Sequence, residues 1–207
     1  MLFILTGDIQ TGKTRWLETL VDSLESGSTP VLGVLAPGVW RSGDEPDAVR
    51  EHVDANGFEK LGIDNVLLPQ HERIPFARRR DIAEAEGLLD PDAQSEKAQL
   101  FWHIDEKALV RVNDHLAALP DSGTGKPGLL VIDELGRLEF LRGGGLTEAL
   151  RLLDKGPTEA FPHALVIVRE ALLDEARNRF PLWGEPTLVY PDERARKRIE
   201  SFFGTAD

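Results

Sequence analysis

The 207-residue sequence predicts an α/β protein with a mostly parallel central sheet and helices on both faces. Three observations point there. Short apolar runs alternate with longer amphipathic stretches, the order that builds parallel strands joined by crossover helices. The runs are continuously apolar instead of alternating, as strands covered on both faces are. The first run ends in a glycine-rich turn that opens a helix.

The elements follow in order. Residues 2–6 form the first expected strand, ended by Gly7. Residues 13–25 carry Trp16, Leu17, Leu20, Val21 and Leu24, the spacing of a helix with one buried face, and Gly27 stands at its C-terminal stop. A second strand is expected over 30–35 and a weaker third over 66–68. Residues 69–99 are the least regular, with Pro69, Pro75, Pro91 and the block Arg78-Arg79-Arg80, and read as an excursion from the sheet. Residues 100–119 give a long helical pattern stopped by Pro120. Residues 129–132 are a strongly apolar strand, 146–153 a helix, 165–168 a strand and 172–180 the helix behind it. A last strand at 187–190 leads into a helix over 192–203. The length, with no internal repeat or long linker, predicts one domain spanning 1–207.

Composition narrows the function. Lys and Arg total 24 against 36 for Asp and Glu, a formal charge of −12, which argues against coating nucleic acid or an anionic membrane. It leaves room for a small anionic ligand in one local pocket. The absence of cysteine excludes disulfides, thiolate catalysis and Cys-ligated metals. The five histidines show no metal-ligand spacing. The apolar N-terminus lacks a basic lead-in and cleavage site, and no stretch reaches the roughly 18 apolar residues of a membrane helix. A cytoplasmic protein without membrane contact is expected.

The strongest motif is Gly7-Asp8-Ile9-Gln10-Thr11-Gly12-Lys13-Thr14, which matches G-x-x-x-x-G-K-[ST] between a buried strand and a helix. Glycines allow a tight loop whose N–H groups converge on phosphate oxygens at a helix N-terminus. Lys13 is expected to reach the β- and γ-phosphates, and Thr14 to place its hydroxyl on Mg²⁺. A second element completes that site. Leu129-Leu130-Val131-Ile132-Asp133-Glu134 has the form of a Walker B strand, with Asp133 on the metal side and Glu134 as the residue that primes water. Asp133-Glu134-Leu135-Gly136 also fits the D-x-x-G pattern of GTPases, but no N-K-x-D guanine motif follows it.

Three blocks make the chain similar to the small P-loop nucleoside triphosphatases of the thermophilic and cancer-related type. They are residues 7–14, Gly33-Val34-Leu35-Ala36-Pro37-Gly38-Val39-Trp40-Arg41, and Asp133-Glu134-Leu135-Gly136-Arg137-Leu138-Glu139. Residues 69–99 depart from the pattern, and Gln10 stands where family loops often carry another glycine. The resemblance implies a RecA-like sheet and slow, Mg²⁺-dependent hydrolysis of ATP, GTP and other triphosphates. It also implies a strand between the P-loop and Walker B strands, for which 165–168 is the candidate.

Arginines able to neutralise charge on the transferring phosphoryl group come next. Arg137 follows the Walker B strand; its alternative is a surface arginine or an ion pair with Glu139. Arg41 stands at the exit of the second strand, where open α/β sheets bind ligands. Arg78-Arg79-Arg80 reads as a solvated turn. Gly143-Gly144-Gly145 reads as a loop and helix start, with an anion nest as the alternative. Ser122-Gly123-Thr124-Gly125-Lys126-Pro127 echoes a P-loop but lacks the needed spacing and hydroxyl. Trp40 and Trp102 read as core, with base stacking as the alternative. The expected activity is triphosphate hydrolysis, with a small-molecule kinase or a nucleotide-gated switch acting on a protein partner as rivals.

Overall fold

The apolar runs assemble edge to edge. The computed structural model describes residues 1–8, 11–121 and 125–204. In it β1 (Leu2–Leu5), β2 (Val31–Leu35), β3 (Gly38–Ser42), β4 (Phe58–Leu68), β5 (Glu72–Arg79), β6 (Trp102–Ile104), β7 (Leu129–Leu135), β8 (His163–Val168) and β9 (Thr187–Val189) form one sheet. The five strands β2-β7-β8-β1-β9 are parallel, with Val31 opposite Leu129, Leu129 opposite His163, and Phe3 opposite both Leu165 and Thr187. The strand between β1 and β7 is β8, as the resemblance implied.

Helices cover both faces because successive strand residues point to opposite sides. Leu2, Ile4, Leu32, Leu130, Ile132 and Val166 face α4 (Glu106–Ala118), α5 (Thr147–Asp154) and α6 (Leu173–Arg179). Phe3, Leu5, Val31, Leu129, Val131 and Leu165 face α1 (Lys13–Ser26) and α7 (Glu193–Glu200). Helix α1 buries Leu17, Leu20, Val21 and Leu24, each worth about 2 kcal/mol relative to exposure. These contacts set the C-terminal ends of β1, β2, β7 and β8 side by side.

Beyond β2 the sheet continues as an antiparallel wing. Strand β4 pairs with β2, β3 and β5, and β6 closes the edge on β5. The sequence expected 69–99 to leave the sheet; β5 instead lies within it, and only the stretch with α2 (Arg80–Ala85) and α3 (Gln94–Lys97) stands outside. The wing is locked by charge. Glu59 on β4 is fully buried, and its Oε2 accepts from Arg41 Nη2 on β3 at 2.7 Å. Its Oε1 accepts from Arg79 Nη2 on β5 at 2.7 Å, and Arg79 Nε also donates to Asp81 Oδ1 at 2.6 Å. Burial alone would raise the Glu59 pKa, but the two guanidiniums and the Val49 N–H hold it below its usual value.

The helix expected over 100–119 begins later. Asp105 accepts from the Ala108 N–H at 2.9 Å and caps α4, so Trp102–Ile104 are released to pair with β5.

Candidate functional site

Strand β1 ends at a loop that returns into α1. Gly12 caps that helix at φ 80°, ψ 20°, a left-handed conformation that suits glycine. No side chain caps the helix and no acid lies in its first turn, so its positive end stays open to an anion. Lys13 folds back across the loop, its Nζ donating to Gly7 O at 2.8 Å and Asp8 O at 2.5 Å. Thr11 Oγ1 donates to Asp8 O at 2.9 Å. Ile9 and Gln10, which the sequence assigned to the phosphate loop, lie outside the described residues.

The end of β7 meets this helix. Asp133 is buried; its Oδ1 accepts from Thr14 Oγ1 at 3.3 Å and its Oδ2 from Ala36 N at 2.9 Å. Burial pushes its pKa up to about 7, against the opposing pull of the Ala36 N–H and the Thr14 hydroxyl. A carboxylate so poorly compensated, beside a hydroxyl, fits a hard divalent cation. Among the described residues no cluster of three or more His, Cys, Asp or Glu is able to hold a metal. A cation here would therefore complete its shell from phosphate and water oxygens, as Mg²⁺ commonly does.

Glu134 is half-buried and accepts from Arg169 Nε. Arg169 directly follows Val168, the last residue of β8, so parallel pairing sets it beside the end of β7. It was absent from the sequence candidates. The available signal was its place just past a core strand's C-terminal end, where open α/β sheets bind ligands.

After β7 the chain makes one π-helical turn, Leu138–Arg142. Glu139 is buried and does not pair with Arg137. Its Oε2 accepts from Gly136 N at 2.8 Å and its Oε1 from Leu146 N at 2.9 Å, tying the loop after Glu134 to the start of α5. Arg137 is exposed and has no hydrogen bond or ion pair among the described residues. The glycines at 143–145 are not an anion nest. Gly144 N donates to Leu138 O at 3.1 Å and Gly145 N to Gln94 Oε1 at 3.0 Å, so those N–H groups are already used.

Other candidates move away from the loop. Arg41 is held by Glu59 in the wing, because a fully buried carboxylate demands its guanidinium. The block 78–80 is not a solvated turn: Arg79 is 2% exposed on Glu59 and Asp81, while Arg80 pairs with Glu96 at 2.8 Å. A cleft of about 480 Å³ beside it is lined by residues such as His52, Arg80, Glu84 and Phe101, and none of its lining comes from the loop between β1 and α1. Of the second glycine-lysine stretch, 122–124 lie outside the described residues. Trp40 is exposed, and its ring and that of Trp102 both lie against the Lys60 ammonium.

No family model and no curated protein matches the chain in sequence. Solved structures do. A human cancer-related nucleoside triphosphatase, known from a solution structure, is 22% identical over 98% of this chain and 95% of its own, with a TM-score of 0.58. THEP1 from the hyperthermophile Aquifex aeolicus is 14% identical over 100% of this chain and 99% of its own, with a TM-score of 0.57. No helix among the described residues is long and apolar enough to cross a membrane. With a mostly parallel sheet, helices on both faces and likeness over nearly full length, the chain has the fold of the small P-loop nucleoside triphosphatases.

Proposed function

We propose that the chain, as one domain over 1–207, hydrolyses nucleoside 5′-triphosphates to diphosphate and phosphate with Mg²⁺ and with broad base use. The observation that carries this is the Thr14–Asp133 hydrogen bond, which joins the start of α1 to the end of β7, where Glu134 directly follows Asp133. Thr14 Oγ1, and Asp133 through water, would hold Mg²⁺. Bound there, the ion supplies neutralising charge to the β- and γ-phosphates.

The residues of the chain do the rest. Lys13 exchanges the Gly7 and Asp8 carbonyls for phosphate oxygens, and the open end of α1 adds its N–H groups. Glu134 accepts a proton from the attacking water as the new oxygen–phosphorus bond forms and the bond to the β-phosphate oxygen breaks. Arg169 holds the Glu134 carboxylate in direction. Arg137, exposed and unengaged among the described residues, is the arginine we assign to the terminal phosphate.

Titration of Mg²⁺-ATP and Mg²⁺-GTP into wild type and Lys13→Ala tests the binding half. Loss of measurable binding in the variant is expected for both nucleotides, and unchanged affinity removes the loop from the account.

A further inference from the structure

Lys60 is a cation with no role in the reading above. It stands on β4 opposite Trp40 of β3, and its Nζ lies 5.7 Å from the Trp40 ring centre and 5.2 Å from that of Trp102 on β6. Three wing strands therefore contribute to one ammonium. A Cβ on Gly38 would come within 2.4 Å of Trp40 Nε1 and 2.9 Å of Lys60 Cε, so glycine there makes room for the pair.

The Lys60 side chain is half-buried, yet among the described residues its ammonium has no hydrogen bond and no carboxylate within 4 Å. Burial lowers its pKa, while the charges of Glu134 and then Asp133 pull it up and Arg169 pushes it down. Geometry sets the same stem near the end of β7: a Cβ on Gly38 would lie 2.9 Å from Lys60 Cε, Gly38 follows Ala36 by two residues, and Ala36 N donates to Asp133 Oδ2 at 2.9 Å. A partly desolvated cation without an anionic partner is costly, and aromatic faces offset only part of that. An anion arriving beside Glu134 and Asp133 would complete it. Lys13 lies across the loop between β1 and α1, and the Lys60 stem, beside Gly38, stands on the wing side of Asp133.

We propose that Lys60 is a terminal-phosphate contact: its ammonium, presented by Trp40 and Trp102, binds the γ-phosphate of a bound triphosphate and so distinguishes triphosphate from diphosphate. This rests on the nucleotide reading of the phosphate loop. It assigns the tryptophans to holding a lysine, not to stacking on a base. In the reaction the same contact stabilises charge on the transferring group without accepting or donating a proton.

The test compares Lys60→Met and Lys60→Arg with wild type for affinity towards a Mg²⁺-bound non-hydrolysable ATP analogue and towards Mg²⁺-ADP. Methionine keeps an unbranched apolar stem between the rings, and tryptophan emission with thermal unfolding reports that the wing is intact. The expected result for Lys60→Met is a loss of about tenfold or more in analogue affinity with ADP affinity within about twofold of wild type. Lys60→Arg should recover part of the loss. Equal weakening of both nucleotides, or no weakening of either, overturns the proposal. Because the readout is binding, it separates from the parent reading. Wild type that prefers the triphosphate analogue through Lys60 but hydrolyses nothing would refute hydrolysis alone. Wild type that binds neither nucleotide refutes both.

Discussion

Replacing Glu139 with alanine should loosen the segment that carries Glu134. The wild-type carboxylate accepts from Gly136 N at 2.8 Å and Leu146 N at 2.9 Å, and it is 8% exposed. Each such bond to a charged acceptor contributes about 1.5–3 kcal/mol, and truncation leaves both donors with at best a poorly placed water. Part of that loss is offset because a buried carboxylate is itself costly to hold. The net destabilisation is about 2–4 kcal/mol, or a fall of about 5–15 °C in Tm for a chain of this size. Thermal unfolding by circular dichroism at neutral pH reads it directly, and Glu139→Gln, which keeps one acceptor, should lose about half as much. The pH dependence has a defined sign. Burial raises the Glu139 pKa above 4.5, with the Leu146 and Gly136 N–H groups opposing. The folded chain therefore holds that proton more firmly than the unfolded one. The resulting stability is complete below about 4.5 and fades as pH rises through the raised value. Glu139→Ala should flatten this part of the wild-type curve. A Tm within about 1 °C of wild type refutes the assignment of Glu139 as the tie between the two loops.

Two further substitutions probe the same physical account. Glu59→Ala leaves Arg79 buried with Asp81 as its one remaining carboxylate and frees Arg41, so about 3–5 kcal/mol should be lost in denaturant unfolding; an unchanged midpoint would mean the wing is held by its strands alone. Gly145→Ala puts a Cβ 1.9 Å from Glu139 Oε1 at φ +67°, and should lower Tm at least as much as Glu139→Gln does; a neutral effect would show that the loop relocates at little cost.

The parallel half of the fold was legible because its strands are covered on both faces, so 2–6, 30–35, 129–132 and 165–168 read as apolar runs. The wing was not. Its strand β4 carries Glu59, Lys60 and Asp64, and charges in a sequence read as surface when nothing nearby in the chain supplies their partners. Arg41 and Arg79 reach Glu59 only after three strands pair, a long-range condition that local pattern does not encode. The false extension of α4 has a similar cause: Trp102 and Ile104 share the apolar spacing of the helix, and the break is a single capping bond at Asp105. At the candidate site, the meeting of Thr14 and Asp133 was legible, Thr14 from the strand–loop–helix motif and Asp133 from the apolar run that it ends. Arg169 was visible only as an arginine after a strand, and Lys60 had no signal at all, since its surroundings come from β3, β4 and β6 together.

The central claim is that water, activated by Glu134, attacks a triphosphate held at the loop. Phosphate release from ATP, GTP, CTP and UTP, with and without Mg²⁺, by wild type and Glu134→Gln tests it most directly. The account predicts Mg²⁺-dependent release by wild type and, in the variant, a rate at least about tenfold lower (about 1.4 kcal/mol on the barrier) with nucleotide affinity retained. Release by Glu134→Gln at the wild-type rate, or release by wild type that ignores Mg²⁺, would contradict it.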